Sequence, residues 1–446
     1  MTRRTRSSLL AFAVALALTL PSCGGDSASP TGPTTPTASG ECSTLGQVTF
    51  VRDTMQDIYY WYQELSDPDP ASFASPEAYL EAVRYRPLDS SFSYITTQAA
   101  SDAFYSESQF IGIGVSFRQT SATELRVGQV FPGGPAADRG LARGDYMVAI
   151  GGRAVEELLR TGELNGAFGP DEEGVAVVVS WRTPRGEERE ETLVKRLVTI
   201  PTVSAVATFD VRGSRVGYIF FRNFVSPSIE ALNTAFDQLL ADGVTDLVLD
   251  LRYNGGGFVD VARHLGGLIG GSGTAGQVFI AFQHNDKNAG RDSELLFEDK
   301  PNALDLPRLV VITTGSSASA SEGVINGLRP FMNVTVVGDR TFGKPVGQYG
   351  FDFCVKVLFP VSFATVNALG EADFFNGFPA DCAAPDDLDH AIADPNEASL
   401  SEALFFLRTG RCSGTAAVEA DIQARRRAAL PQPYSGDGWR QLLGAF

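Results

Sequence analysis

Histidine is scarce in this 446-residue chain: only His264, His284 and His390 occur. None stands in a recognisable triad motif; a triad assembled only in space is the lesser reading, and lysine is the other candidate base. No CxxC and no paired histidine is found, which removes the usual zinc-knuckle reading. Positive charge is also short. Thirty-six Lys and Arg face 53 Asp and Glu, a formal charge of −17. Phosphate binding needs a basic face, so nucleic acid is excluded as a partner. Lysine itself is rare, with Lys195, Lys287, Lys300, Lys344 and Lys356 against many arginines. Arginine cannot deprotonate usefully, so any neutral amine must come from these few. The apolar run LLAFAVALALTL (Leu9 to Leu20) is too short to span a bilayer comfortably.

What is present begins with an address. Arg3, Arg4 and Arg6 precede that apolar run, and LPSC follows it. With Leu20 three positions before Cys23 and Ser22 just before it, the segment resembles a bacterial lipoprotein signal. That resemblance implies lipidation of Cys23, although Pro21 departs from the pattern. An ordinary cleaved secretory signal is the alternative, and both export the protein. Gly24 rather than Asp follows the cysteine, so an inner-membrane retention signal is not evident; the expected location is the bacterial cell envelope. The chain would be a periplasm-facing lipoprotein of the outer membrane, or secreted. Cys42, Cys354, Cys382 and Cys412 remain, enough for two disulfides with three possible connectivities. The pairing expected is Cys354–Cys382 with Cys42–Cys412.

The length suggests two or three domains, and 43% apolar with 20% charged residues is a soluble globular composition. Residues 1–22 read as signal and 23–45 as a Ser/Thr/Pro/Gly tether. Residues 46–106 read as a helical module. Val51, Met55, Ile58, Tyr62 and Leu65 recur at helical spacing, and SPEAYLEAV (75–83) opens a second helix at Ser75. Residues 107–198 are β-rich, 199–395 alternate strand and helix, and 396–446 are helical. The alternation predicts a mostly parallel, covered sheet and an α/β, multidomain fold class.

The phrase GLARGDYMVAIGGRAV (140–155), after the strand patterns IGIGVSFRQ and LRVGQVF, resembles a PDZ domain. The resemblance implies that Gly112, Ile113, Gly114 and Val115 form a carboxylate-binding loop. Glycines let the backbone approach a ligand, and an open strand edge can pair with a peptide.

Two further phrases carry chemistry. TTGSSASASEG (313–323) follows the apolar run LPRLVVI, and TFGKPVGQ (341–348) follows NVTVVG. A serine nucleophile needs a proton acceptor and an oxyanion hole. A lysine acceptor must be neutral, so burial must pull its pKa down from about 10.4 toward roughly 7–8. Together these phrases and DLRYNGGG resemble the C-terminal processing peptidases (tail-specific proteases), over most of the chain after the leader. The resemblance implies Ser319 as nucleophile, Lys344 as general base and Gln348 as the residue orienting that lysine. It implies oxyanion donors at Gly255 or Gly256 and at Ala320, on a crotonase/ClpP-like α/β core. Ser317 and Ser321 read as bonding local backbone groups or capping the following helix, and Glu322 as a favourable charge at that helix start that can also orient the loop, without a catalytic role. Pro345, where the family often has glycine, is a departure. So is the divergent segment 351–382.

The expectation is an exported serine endopeptidase without metal or organic cofactor. Its partners would be protein or peptide substrates with a free C-terminus, and a membrane through the lipid anchor. Tail binding at the PDZ-like domain would shift the site toward its assembled form. A catalytically inactive peptide-binding scaffold on the same fold is the alternative. A carrier of an apolar small molecule is a more distant one.

Overall fold

The computed structural model describes residues 42–414. The expected signal peptide, Cys23, most of the tether and residues 415–446 lie outside the described residues. Among the described residues no helix is long and apolar enough to cross a membrane.

The fold is mixed α/β. Its main sheet has six strands in the order Val203–Val211, Ser214–Phe221, Asp246–Asp250, Arg308–Thr313, Asn333–Gly338 and Cys382–Ala383. The first pair is antiparallel and the remaining pairs are parallel. Parallel strands are buried on both faces, which is why they read as nearly unbroken Val, Leu and Ile runs. Side chains alternate across the pleat. Ile219 and Phe221 join a core under the helices Ser228–Ala241, Val259–Gly270 and Ala320–Leu328. Val216, Tyr218 and Phe220 face the other way, against Leu400, Ala403 and Leu407 of the helix Ala398–Thr409.

Three neighbouring parallel strands each end in a loop that matters below. Asp246–Asp250 runs into 251–258, Arg308–Thr313 into 314–319, and Asn333–Gly338 into 339–345. Parallel pairing places these loops at one edge of the sheet, the carboxyl end where sites gather in such folds.

Residues 113–193 enclose a separate core around Trp181, with a sheet in the order Val115–Gln119, Leu125–Val130, Tyr146–Ile150, Ala176–Arg182 and Glu188–Val194. Val115–Gln119 is an edge strand of that sheet. The segment expected to be purely helical is not. Its first helix, Thr44–Ile58, ends before Tyr62 and Leu65, and Pro76–Val83 is capped by Ser75 as the sequence suggests. It then supplies a strand, Tyr94–Thr97, paired antiparallel with Lys356–Phe359 from the divergent segment.

The disulfides are Cys42–Cys354 and Cys382–Cys412, not the expected pairing. Topology explains the difference. Cys354 lies in the turn of the hairpin Phe351–Phe353 and Lys356–Phe359, and Phe353 stacks on Phe50 of the first helix at 4.9 Å. That packing brings the hairpin tip to Cys42. Cys382 sits on the edge strand of the main sheet, and the helix Ala398–Thr409 returns the chain so that Cys412 meets it after 30 residues.

Candidate active site

A cavity of about 150 Å³ opens where the three loops meet, lined by Ser319, Lys344 and Gln348. Gly255, Gly256 and Gly257 form one wall. Ser319 directly precedes the helix Ala320–Leu328 and has φ 55° and ψ −115°, a conformation that glycine tolerates and serine does not. The loop is over-determined by its neighbours. Ser317 Oγ donates to Leu251 O at 2.7 Å and Ser321 Oγ to Asn254 O at 2.8 Å. The two flanking serines thus sew the Ser319 loop to the glycine loop, beyond the local role expected of them. Ala318 N–H donates to Asn254 O at 3.1 Å.

Close approach explains the glycines. A Cβ on Gly256, at φ +101°, would lie 2.8 Å from Ser319 Cβ and 2.9 Å from Ala320 N. The Gly256 N–H is committed to Asn254 Oδ1 at 3.0 Å. The Ala320 amide is the first of its helix, where backbone N–H groups have no intrahelical partner.

Lys344 is buried, 8% exposed, and its Nζ donates to Gln348 Oε1 at 2.5 Å. The orientation of that amide follows from its other end. Gln348 Nε2 donates to the carbonyls of Phe92 at 2.6 Å and Phe359 at 2.7 Å, so Oε1 must face the amine. Burial lowers the Lys344 pKa from 10.5 to about 8, against the opposing pull of Asp89 and then Glu322. Pro345 does not displace the amine. It precedes the strand Val346–Gln348, where a missing N–H is tolerated, and its carbonyl accepts from Thr365 N at 3.0 Å.

Glu322 joins the two loops. Its Oε2 accepts from Ser319 N at 2.9 Å and Lys344 N at 2.8 Å, while Oε1 accepts from Gly343 N at 2.7 Å and Thr341 Oγ1 at 2.6 Å. Burial raises this carboxyl from 4.5 to about 7, and the four donors restrain the rise. The sequence suggests a helix-dipole role and an orienting of its own loop; the bonds to Thr341, Gly343 and Lys344 extend that role to a second loop.

None of the three histidines lines the cavity. His264 contacts Asn233, His284 lies between Asp292 and Tyr349, and His390 contacts Asp387.

Residues 215–368 match Peptidase family S41 and residues 46–94 match the Peptidase S41 N-terminal domain. This chain carries an S41 peptidase domain. It is 29% identical over 248 residues to a chloroplastic C-terminal processing peptidase of Tetradesmus obliquus, covering 53% of this chain and 52% of that protein. It is 28% identical over 244 residues to a carboxyl-terminal-processing protease of Synechocystis, covering 54% of each. The chain thus spans about half the length of these curated relatives. In fold it is similar to an S41 protease from Bacteroides fragilis, with a TM-score of 0.64 at 23% identity over 81% of this chain and 97% of that one.

The S41 peptidase region contributes Ser319, Lys344, Gln348 and the glycines. Phe92 and Tyr94 come from the S41 N-terminal region, and they line the same cavity with Phe104, Tyr105 and Phe258. Sequence reasoning missed these aromatic walls, because they come from a part of the chain far from the serine and lysine phrases. The Gly112–Val115 loop lies elsewhere, in the separate β-rich core. Its Ile113 O accepts from Ala136 N and its Gly114 O from Phe131 N, both at 2.9 Å. Arg118, on the edge strand that follows, reaches the loop that leads to Ser319. Its Nη1 donates to Ser316 Oγ at 2.8 Å, and its guanidinium lies 4.0 Å above the Tyr253 ring.

Proposed function

We propose that this chain is an exported serine endopeptidase that cleaves protein substrates through a Ser319–Lys344 dyad. The observation that carries this reading is the buried Lys344 amine, lowered to about 8 and held by Gln348, in the same cavity as Ser319. A lysine at that value is about half neutral near pH 8, so it is available as a base at mildly alkaline pH and only in part at neutral pH.

Ser319 Oγ attacks the peptide carbonyl carbon while its proton passes to Lys344 Nζ. The carbonyl oxygen becomes an oxyanion, received by the Ala320 N–H and by the glycine loop. With Gly256 N–H taken by Asn254, the Gly255 amide is the donor that this arrangement leaves. Lys344 then returns its proton to the leaving amine, and the peptide C–N bond breaks. Water attacks the acyl-enzyme, Lys344 takes one of its protons, and Ser319 leaves protonated.

Recognition of C-terminal tails is assigned to the domain around the Gly112–Val115 loop. Its edge strand Val115–Gln119 can pair with an added peptide strand. The Arg118–Ser316 hydrogen bond supports a coupling of that strand to the Ser319 loop. Two disulfides support an oxidising compartment. An N-terminal lipid on Cys23 remains part of the proposal, testable by metabolic labelling with a fatty-acid probe.

A fluorophosphonate probe should label the wild type but not Ser319→Ala, and should label Lys344→Ala far more slowly. Equal labelling of all three would reject the dyad. Comparative sequencing of protein C-termini from cells with wild-type enzyme or Ser319→Ala then names substrates. Deleting the domain around residues 107–198 should abolish discrimination between substrates that differ only in their tails.

A further inference from the structure

Asp89 is fully buried, with no part in any of the steps above. It lies in the S41 N-terminal region, in the segment LDSSFSY (88–94) between the second helix and the strand Tyr94–Thr97. Its Oδ1 accepts from Phe92 N at 2.7 Å and Ser93 N at 3.0 Å. Its Oδ2 accepts from Tyr59 OH at 2.9 Å and Ser93 Oγ at 2.6 Å. An acceptor-only carboxylate satisfies all four donors, and a buried carboxylate without them would be costly.

These bonds shape the loop that touches the base. Phe92 N is held by Asp89, and Phe92 O accepts from Gln348 Nε2, whose Oε1 accepts from Lys344 Nζ. The Phe92 ring lies 5.5 Å from the same Nζ. Ser93 Oγ, also on Asp89, accepts from Val361 N at 3.0 Å and ties the loop to the strand behind Gln348.

We propose that Asp89 is a positioning residue for the Lys344 amine: it fixes the Phe92 carbonyl that orients Gln348, and it supplies a buried negative charge to the amine. Asp89 and Glu322 are the acidic groups whose charge acts on Lys344, and Asp89 contributes more. Around Asp89 the titratable and charged groups are Tyr59, from the end of the first helix, Arg84, whose Nη1 donates to Ser93 O, and Lys344 itself. The N-terminal region is thereby part of the machinery that prepares the base.

This inference rests on the peptidase reading, and the test separates the two. A panel of quenched peptides is screened with wild type and with Ser319→Ala as blank, and the profile of kcat/KM against pH is measured for wild type, Asp89→Asn and Asp89→Glu on the best of them. Thermal midpoints are recorded alongside. A wild type no better than the blank on every peptide rejects the peptidase reading itself. With an active wild type, Asp89→Asn removes a charge that favours the protonated amine. Its acidic limb must move to lower pH by roughly half a unit or more. Asp89→Glu keeps the charge but pushes the loop outward. It must lose about tenfold or more in kcat, with KM within roughly threefold. An unmoved limb in a folded Asn variant overturns the inference. Should the Asn variant not fold, wild-type kcat in the Glu variant does so.

Discussion

Glu322 holds the backbone N–H of Lys344 at 2.8 Å with the same carboxylate oxygen that holds the N–H of Ser319. One buried side chain therefore sets the spacing between the Ser319 loop and the Lys344 loop. Glu322→Ala leaves the two amides, the Gly343 N–H and the Thr341 hydroxyl without their acceptor. Unpaired buried donors cost about 1–3 kcal/mol each, with partial relief by water. The expected outcome is a loss of about 3 kcal/mol or more in urea unfolding. Peptide hydrolysis by the remaining folded protein should fall by roughly a hundredfold or more.

Lys344 sets a pH window for both activity and stability. In the proposed dyad its amine must be neutral to accept the Ser319 proton, so kcat/KM should rise with pH through about 8. For stability the sign is the reverse of a salt-bridged lysine. The folded state binds this proton less tightly than the unfolded chain, in which the value is 10.5. Below about pH 8 the fold carries the full penalty, about 3 kcal/mol from the difference between the two values. The penalty fades as pH rises from about 8 to 10.5. Lys344→Met should therefore raise the thermal midpoint at pH 7 while abolishing hydrolysis, and the gain should vanish near pH 10.5. A midpoint gain independent of pH would contradict the assignment.

The backbone of Ser319 stores strain. At φ 55° and ψ −115°, a non-glycine residue costs about 1–3 kcal/mol. Ser319→Gly should be inactive yet more stable by about 1 kcal/mol in chemical denaturation. Ser319→Ala, which retains a Cβ, should be inactive without that gain.

The Cys42–Cys354 bond closes a loop with a sequence separation of 312, spanning the N-terminal helices and the hairpin beside Phe359. Cys354→Ser should lower stability by about 2–5 kcal/mol. The same variant in dithiothreitol should lose only the further contribution of Cys382–Cys412. Denaturant midpoints with and without reductant check both.

The α/β alternation, the serine and lysine phrases and the glycine loop were readable because each rests on local sequence. Strand periodicity, turn glycines and one phrase with a fixed neighbourhood are enough to place them. Glu322 was legible as a helix-start charge that orients its own loop, but not as the link to a second one. Nothing in SASEG shows that its carboxylate bonds the Lys344 amide across another loop. Asp89 and Phe92 left no signal, because their importance comes from the pairing of Tyr94–Thr97 with Lys356–Phe359, a contact across more than half the chain. The disulfide pairing failed for the same reason: it follows from which hairpin packs on the first helix.

That long-range strand pairing also governs when the molecule can act. A chain that is made from its N-terminus presents Phe92 and Tyr94 early, while their partners Gln348 and Phe359 emerge hundreds of residues later. Until the sheet closes, the amine of Lys344 has no fixed acceptor. The proposed site is in this sense timed by its own topology: in a nascent copy Ser319 stands without the assembled Lys344 and Gln348 that would take its proton.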